Sequence, residues 1–361
     1  MTHLDRRQFN LLVGSSLAAG AGAGLWPRPA KADAGKTITV LNWQGYGTDE
    51  PWGLKEFAAA TGIEVKHDYF NSEPEMLTKL RTNPGAYDVV LINSARTRQA
   101  QAEALIDPID FSKVPNSKDL APPLRGHSNI NIDGKPFGIA WVWGINGLAV
   151  RRGKVANADS FTILSDPAYV NRVALLDDAV TEIGVGALLT GQDINDPKDF
   201  KAIGDALKAM KKNVKLIWSS EDEWDKDFAA GAFDVAIYWS GACVRSQRHY
   251  KLPVDFIVPK EGAIGWLDNL CIPATSSKKD LGLTFINFMI DPKFYVEWAT
   301  KVGAPASANS VAMNELPADD LNREVHKPEY LSKLQFMSFL PDDRRETINA
   351  LWDEVKAYYA K

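Results

Sequence analysis

The order of strand and helix patterns near the start of the chain is the feature that most restricts its fold. An apolar, β-branched run at residues 37–42 precedes a helical pattern that ends at Thr61-Gly62. An alternating run at 63–69, a helical pattern at 73–81 and a continuous apolar run at 87–92 follow. Strands that alternate with helices form parallel sheets, because the helix returns the chain to the same edge. This order therefore predicts an α/β unit with a mostly parallel sheet.

The same alternation recurs in the second half of the chain. Strand patterns occur at 172–177, 214–218 and 235–239, with helical patterns at 181–189 and 197–212. Asp196 and Pro197 are expected to begin the second of these helices, as N-cap and first helical residue. Ser220 and Glu223 have the spacing of a capping box, which attributes the acids between them to a helix start. A chain of 361 residues is long enough for two such units.

The first 32 residues have the composition of an export signal. Arg6 and Arg7 precede a short, weakly apolar stretch, and Ala30-Lys31-Ala32 is a small-x-small cleavage pattern. The paired arginines resemble a twin-arginine signal. Cleavage after Ala32 removes a net +3 from the formal charge of −5 and leaves −8. Such an acidic protein is not expected to bind nucleic acid or an anionic membrane.

The sequence shows no motif for catalysis or for a metal. It has no nucleophile elbow, phosphate-binding glycine loop or zinc-ligand spacing, and its five histidines lie far apart. We therefore predict no catalytic residue, metal or cofactor, with an exported enzyme as the less favoured alternative. Asp177 and Asp178 are adjacent, so in a strand they face opposite sides and do not form an acid pair. Cys243 and Cys271 are expected to be buried free thiols, although an exported protein can form a disulfide.

Trp266 and Asp268 stand two residues apart in a strand pattern at 265–273. The period of two in a strand places both side chains on one face. An indole face beside a carboxylate suits an organic ammonium, through cation–π attraction and a charge-assisted hydrogen bond. The alternative is a half-buried strand with a surface carboxylate, and the pair alone does not exclude it.

Further aromatic and polar residues follow the predicted strands. In open parallel sheets, ligands bind beyond the carboxyl ends of the strands. The residues at or near these positions are Trp43, Tyr46, Asn93, Asp178 and Trp239. We expect them to face one site.

With these residues in place, the sequence resembles the periplasmic spermidine/putrescine-binding proteins of ABC importers. The resemblance covers nearly all of the chain after the export signal and rests on the order and spacing of short motifs. These include Asn42-Trp43 with Tyr46, Ala86-Tyr87-Asp88-Val89-Val90, Trp143-Gly144, Asp177-Asp178-Ala179, Asp196-Pro197-Lys198, Trp239-Ser240-Gly241, Pro259-Lys260-Glu261-Gly262, Trp266-Leu267-Asp268 and Ile272-Pro273-Ala274. It implies the type II two-lobed periplasmic binding fold, in which each lobe is a mostly parallel sheet flanked by helices and the ligand lies between the lobes.

The resemblance also implies roles for individual side chains. Trp43 and Trp239 would flank the ligand, while Trp266 would form a wall and Asp268 would bind one ammonium. Asp178 would be a second acid of the site and Tyr46 a polar aromatic. Asn93 stands where the family usually has a residue with a small hydroxyl side chain.

The chain departs from the family at four positions that concern the ligand. Gly45 and Thr181 stand where acids are expected, and Ala95 and Ala304 stand where aromatic residues help to close the site. Each buried ammonium of a triamine needs a partner, since an unpaired buried charge is costly. These departures weaken the case for spermidine.

Two alternatives to a polyamine remain open. Arg96, if it enters the site, would repel a polyamine and could bind a carboxylate in bidentate fashion, which implies a zwitterion such as γ-aminobutyrate. Trp43, Trp239 and Trp266 could instead form an aromatic cage for a quaternary amine such as choline or betaine. If Arg96 does not enter the site, we expect Arg96 and Arg98 to be solvated on a surface loop.

We therefore expect a monomeric periplasmic solute-binding protein of an ABC importer, not an enzyme, that delivers a polyamine such as putrescine to an inner-membrane permease. The resemblance implies the division into lobes. Lobe one would comprise residues 34–141 and 262–318, and lobe two residues 142–261 and 319–361.

Overall fold

The computed structural model describes residues 36–325 and 327–361. The predicted export signal, residues 1–32, lies outside these ranges. The strands are β1 (Thr37–Asn42), β2 (Glu64–Tyr69), β3 (Val89–Asn93), β4 (Ile106–Asp107), β5 (Asn131–Ile132), β6 (Lys135–Pro136), β7 (Ile139–Arg151), β8 (Val173–Leu176), β9 (Val214–Trp218), β10 (Val235–Trp239), β11 (Val254–Ile257), β12 (Ala263–Pro273), β13 (Ala306–Ser307) and β14 (Leu334–Phe336).

The helices flank these strands, and short 3-10 turns occur in the loops before β5 and before β8. The helices are α1 (Pro51–Thr61), α2 (Glu73–Thr82), α3 (Ser94–Ala102), α4 (Pro122–Arg125), α5 (Ala179–Leu189), α6 (Phe200–Lys208), α7 (Glu221–Ala229), α8 (Ser240–His249), α9 (Lys279–Met289), α10 (Pro292–Lys301), α11 (Ser310–Glu315), α12 (Leu321–Val325), α13 (Pro328–Leu331) and α14 (Asp342–Tyr359).

The large sheet contains two parallel groups of strands that are joined by two antiparallel strands. Its order is β2-β1-β3-β12-β7-β10-β8-β9. β1 pairs in parallel with β2 and β3, and β8 pairs in parallel with β9 and β10. β12 and β7 pair antiparallel with each other and with the neighbouring groups. Each helix-flanked parallel group matches the α/β unit that the sequence predicts.

β7 and β12 cross from one group of strands to the other. The first half of β7 pairs with β12, and its second half pairs with β10. β12 pairs with β7 along residues 264–270 and with β3 along residues 268–271. Asp268 consequently lies between two neighbours, opposite Val142 of β7 and Asn93 of β3.

The buried apolar side chains form two clusters, one on each side of this crossing. The first core cluster comprises buried residues between Ile38 and Ile145 and from Ala263 to Leu316, apart from Ile264. The second core cluster comprises Leu148 to Val254, Ile264 and Leu340 to Val355. The change of cluster along β7 occurs between Ile145 and Leu148, so the polar segment between them lies at the boundary of the two cores.

Most predicted elements form, but the predicted start of the helix at Asp196-Pro197 is wrong. The helix α6 begins at Phe200, and Asp199 is its N-cap, accepting a hydrogen bond from the N–H of Ala202 at 2.9 Å. The carboxylate of Asp196 instead forms ion pairs with Lys198 and Arg344. Asp196 and Asp199 are both suitable N-cap residues. Asp199 caps the helix, and Asp196 is engaged by ion pairs instead.

The two cysteines and the start of α7 agree with the sequence prediction. Cys243 and Cys271 are both buried free thiols, as predicted. Ser220 caps α7 by accepting the N–H of Glu223, whose carboxylate accepts the N–H of Ser219, so the acids do mark a helix start.

In residues 36–325 and 327–361, no helix has the length and apolar character needed to cross a bilayer. The same residues contain no group of three or more side chains placed to hold a metal ion.

Candidate ligand-binding site

A cleft of about 490 Å³ lies at the boundary between the two core clusters. All seven residues that the sequence predicts for the site line it: Trp43, Tyr46, Asn93, Asp178, Trp239, Trp266 and Asp268. Its lining also includes residues that the sequence did not suggest, among them Glu73, Asn146, Arg245, Pro305 and Met337.

Asp268 is the most enclosed acid of the cleft lining. Its residue surface is 7% exposed, and its two carboxylate oxygens each accept a hydrogen bond from an uncharged group. The hydroxyl of Tyr46 donates to Oδ2 at 2.9 Å, and Nδ2 of Asn93 donates to Oδ1 at 2.9 Å. Burial raises the pKa of Asp268 to about 6, against the lowering effect of these two hydrogen bonds. Its negative charge is thus held in place but not neutralised by the neighbours that bind it.

Asn93 is positioned by backbone geometry on both sides. It ends β3, where it lies opposite Asp268 in the antiparallel ladder, and it caps α3. Its Oδ1 accepts the N–H of Ala95 at 3.1 Å, which leaves Nδ2 free to donate to Asp268. The side-chain amide therefore has a fixed orientation toward the carboxylate.

Three half-buried tryptophans from different elements line the cleft. Trp43 follows β1 and packs edge-on against Phe70, with ring centroids 4.5 Å apart. Trp239 ends β10 and packs edge-on against Trp218 at 5.0 Å. Trp266 lies in β12, and its indole passes over Gly144. Aromatic walls of this kind can attract an organic cation through their faces.

Asp178 lines the cleft from the start of α5, whose side chains belong to the second core cluster, whereas Leu267 next to Asp268 belongs to the first. It is exposed, and it caps α5 by accepting the N–H of Thr181 at 2.9 Å through Oδ1. Asp177 faces away, where its carboxylate accepts hydrogen bonds from the indole of Trp352 and from Lys356. The two adjacent acids therefore have different surroundings, in agreement with the expectation that they do not act as a pair.

Two of the departures from the family have structural explanations. Gly45 has a φ of +73°, and its N–H donates to Asp49 at 2.8 Å, so the turn after β1 favours glycine over an acidic side chain. Thr181 is buried and accepts a hydrogen bond from Nδ2 of Asn146 at 2.8 Å. Neither position contributes a charge to the cleft.

The structure adds one acid to the cleft that the sequence did not suggest. Glu73 is the first residue of α2, directly after the loop that follows β2. Burial and the nearby charge of Asp268 raise its pKa to about 8, while Arg96 and the backbone N–H of Asn93 oppose this rise. Its position beyond the end of a parallel strand is the signal that could have identified it.

An arginine also lines the cleft, but its charge is neutralised by a neighbour. Arg245 of α8 forms a bidentate ion pair with Glu221, with distances of 2.7 Å from Nε and 2.6 Å from Nη2. Its Nη1 donates to the carbonyl oxygen of Gly303 at 3.1 Å. The guanidinium is therefore engaged on all three nitrogens by the protein.

Arg96 lies on α3 and not on a loop, which corrects the expected setting of this residue. It is half-buried, and its Nη1 donates to Gln99 at 3.1 Å, one turn along the same helix. Burial lowers the pKa of Arg96 and the charge of Arg345 adds to this effect, whereas Glu73 and Asp342 oppose it.

Comparison with known proteins places this geometry in a family. The sequence profile that describes the bacterial extracellular solute-binding proteins matches residues 53–325, which is more than half of the chain. The chain belongs to this family. This solute-binding protein is 30% identical over 332 residues to the spermidine/putrescine-binding periplasmic protein of Escherichia coli strain K12, with 89% of each chain covered.

Another relative and one solved structure extend the comparison. The putrescine-binding periplasmic protein SpuD of Pseudomonas aeruginosa strain UCBPP-PA14 is 28% identical over 375 residues, which cover 97% of this solute-binding protein and 99% of SpuD. The crystal structure of the spermidine/putrescine substrate-binding protein PotD from Streptococcus pneumoniae superposes with a TM-score of 0.80 at 24% identity, and the match covers 90% of this chain and 99% of PotD. The resemblance to the spermidine/putrescine-binding family and the two-lobed α/β fold that it implied are confirmed.

Proposed function

We propose that this protein is the periplasmic binding component of an ABC importer and that its solute is a polyamine such as putrescine. The relatives that cover most of its length are named for the binding of spermidine and putrescine, or of putrescine. The cleft supplies the groups that such a ligand requires, which are carboxyl groups and aromatic faces.

The observation that carries the proposal is the environment of Asp268. Its carboxylate accepts hydrogen bonds only from the neutral groups of Tyr46 and Asn93 among the described residues. A buried carboxylate without a counter-charge is unfavourable, as its raised pKa reflects. A ligand ammonium that enters the cleft supplies that counter-charge and two or three N–H donors. Binding therefore relieves a cost that the empty protein carries.

The tryptophans complete the recognition of a slender cation. Trp43, Trp239 and Trp266 line the cleft, and their faces attract positive charge while they exclude water from the methylene chain. Asp178, at the start of α5, is an exposed acid whose Oδ2 accepts no hydrogen bond from the described residues and is available to a second ammonium. A linear diamine has a cationic group for each side of the cleft.

The zwitterion alternative requires a cationic side chain that can bind a carboxylate. Among the described residues, Arg245 is the arginine that lines the cleft, and Glu221 already holds it in bidentate fashion. Arg96 donates to Gln99 and is absent from the cleft lining. The arrangement therefore favours a solute with ammonium groups at both ends over γ-aminobutyrate, which has a carboxylate at one end.

The proposed transport role follows from the two-lobed fold. We propose lobe one as residues 34–141 and 262–318, and lobe two as residues 142–261 and 319–361, with export directed by residues 1–32. Ligand binding between the lobes selects a closed form, and the closed form presents the surface that the permease recognises. We propose that the protein acts as a monomer and carries out no reaction on its solute.

A thermal-shift screen tests the proposal directly. The purified mature protein would be melted with putrescine, spermidine, γ-aminobutyrate, choline and betaine, because a ligand that binds the folded state raises the melting temperature by mass action. Protection by putrescine that disappears in Asp268→Asn, but persists in the exposed-acid control Asp222→Asn, supports it. Protection by γ-aminobutyrate, choline or betaine alone would overturn the polyamine assignment.

A further inference from the structure

One carboxyl oxygen of Glu73 is an unused acceptor inside the cleft. Glu73 lines the cleft together with Asp268, and its Oε2 is enclosed without a hydrogen-bond partner among the described residues. A buried oxygen acceptor without a donor is uncommon in folded proteins, and a functional role is one of the explanations for it. The resemblance to the family assigns no role to this residue.

The position of Glu73 brings it close to the ammonium-binding end of the cleft. Asn93, whose amide holds Asp268, also lies close enough through its backbone N–H to influence Glu73. The charge of Asp268 acts on Glu73, and the charge of Glu73 acts in turn on Tyr46. The two acids therefore face the same part of the cleft from different elements, β12 and α2.

We propose that Glu73 is a second ligand-binding carboxyl, which accepts a hydrogen bond from the same ammonium as Asp268 and selects for primary amines. The proposal rests on the polyamine function proposed above. A primary ammonium has three N–H donors and can serve both carboxyls, whereas a quaternary ammonium has none. The carboxylate of a zwitterion would be repelled by two acids at this end. Glu73 would thus supply an acid in place of those missing at positions 45 and 181.

A purely helical role for Glu73 is the competing explanation. Acids in the first turn stabilise a helix through its dipole, and Glu73 shares the first turn of α2 with Glu75. The two differ in their contacts. Glu75 accepts the N–H of Asn71 at 2.9 Å and forms an ion pair with Lys79, and it does not line the cleft. Glu75 is therefore a matched control from the same turn.

Glu73 also provides a proton signal for binding. The charges of Asp268 and Arg96 act on it, and its own charge acts on Tyr46. Its pKa of about 8 leaves more than half of it protonated at pH 7.5 before binding. An ammonium beside it favours the ionised form, so binding releases a proton. Asp268, with a pKa of about 6, is mostly ionised at this pH and contributes little to the release.

Isothermal titration calorimetry at pH 7.5 in two buffers of different ionisation enthalpy tests the proposal. Putrescine and choline would be titrated into the wild type, Glu73→Gln and Glu75→Gln, after each melting curve has shown a folded protein. We expect Glu73→Gln to weaken putrescine binding about ten- to hundredfold, to bind choline no more weakly than the wild type and to lose proton release. Glu75→Gln should keep wild-type affinity and proton release.

The outcomes distinguish this inference from the function on which it rests. Wild-type affinity and proton release in Glu73→Gln overturn the role of Glu73 and leave polyamine binding intact. Equal losses in Glu73→Gln and Glu75→Gln overturn it as well, because they assign the effect to α2. Failure of the wild type to bind putrescine overturns the proposed function and the inference together.

Discussion

The indole of Trp266 lies directly over the Cα of Gly144 in the neighbouring strand. The two residues are register partners of β12 and β7, and a Cβ at position 144 would stand 2.7 Å from Cε2 of Trp266 and 3.0 Å from Oγ of Ser240. Glycine at this position therefore allows a large aromatic side chain to lie flat at the crossing of the two long strands. The orientation of one wall of the cleft depends on the absence of a methyl group.

Gly144→Ala should consequently weaken ligand binding. The added methyl group has no room, so Trp266 must turn away or the strands must shift, at a cost of about 1–3 kcal/mol in unfolding free energy. We expect putrescine affinity to fall about tenfold or more by calorimetry, and the urea midpoint to fall as well. Gly126→Ala, whose new Cβ would meet only a backbone oxygen at 3.4 Å, should change neither. Unchanged affinity in Gly144→Ala would mean that Trp266 does not contact the ligand.

Asp268→Asn should separate binding from stability. Because burial raises the pKa of Asp268 to about 6, its ionised form at pH 7.5 costs the ligand-free protein on the order of 3 kcal/mol. A neutral amide removes this cost, although one of the two donors, Tyr46 or Asn93, then lacks an oxygen to bind. We expect putrescine binding to fall below detection while the ligand-free melting temperature stays the same or rises. A strongly lowered melting temperature would show that the carboxylate stabilises the fold.

Tyr46→Phe should weaken binding, and more so in acid. The Tyr46 hydroxyl stabilises ionised Asp268 and lowers its pKa, so its removal raises that pKa further. At pH 6 the carboxyl would then be largely protonated and unable to pair with an ammonium. We expect an affinity loss of about tenfold at pH 8 and a larger loss at pH 6, measured by calorimetry. Tyr359→Phe, which removes a hydroxyl bound to Leu207 far from the cleft, should leave affinity unchanged at both pH values.

The ligand-free protein should be less stable at pH 8 than at pH 5. Burial raises the pKa of Glu182 to about 8 in the folded protein. A carboxyl whose pKa is higher in the folded than in the unfolded protein stabilises the fold at a pH below its unfolded-state pKa. This stability is lost as the pH rises through its folded-state pKa. Glu182 alone accounts for a loss on the order of 3 kcal/mol by pH 7. Hydrogen bonds from Trp352 and Lys356 lower the pKa of Asp177 against the effect of burial. Asp177 therefore adds stability as the pH rises, but only in the strongly acidic range where it titrates.

Glu182→Gln should therefore flatten the pH dependence of unfolding. The amide oxygen of glutamine can still accept the N–H of Leu176, which Glu182 accepts at 2.8 Å. Urea titrations at pH 5, 6, 7 and 8 would show a smaller slope in the variant. Since Glu182 does not line the cleft, putrescine affinity should be unchanged. An identical slope in both proteins would assign the pH dependence to other groups.

The repeating elements of the fold were predictable because their signals are local. Apolar periodicity and end signals such as Gly62 place α1 correctly, and the alternation of strands and helices indicates the parallel groups. The start of α6 was missed because Asp196 and Asp199 are both suitable caps, and an ion pair with Arg344, 148 residues away, engages the first. No short-range pattern contains that information.

The candidate site was predictable to the extent that family motifs mark its residues. Strand periodicity places Trp266 and Asp268 on one face but does not by itself separate a ligand site from a half-buried strand. Glu73 looks like an ordinary acid at a helix start. The neutralisation of Arg245 depends on Glu221 of a different helix, and the sequence gives no reason to pair them. Electrostatic partners across elements arise only when the chain is folded.

The central position of β12 also has a consequence for the order of folding. Asp268 of β12 pairs with Asn93 of β3, which precedes it by 175 residues. One edge of β3 therefore has no partner strand until the chain has been synthesised nearly to residue 273. Closing so long a loop costs conformational entropy before its contacts form, and such contacts tend to form late. Most of the second core cluster comes from the continuous segment between Leu148 and Val254 and has no such delay. Recovery of ammonium binding during refolding should therefore report the insertion of the last central strand.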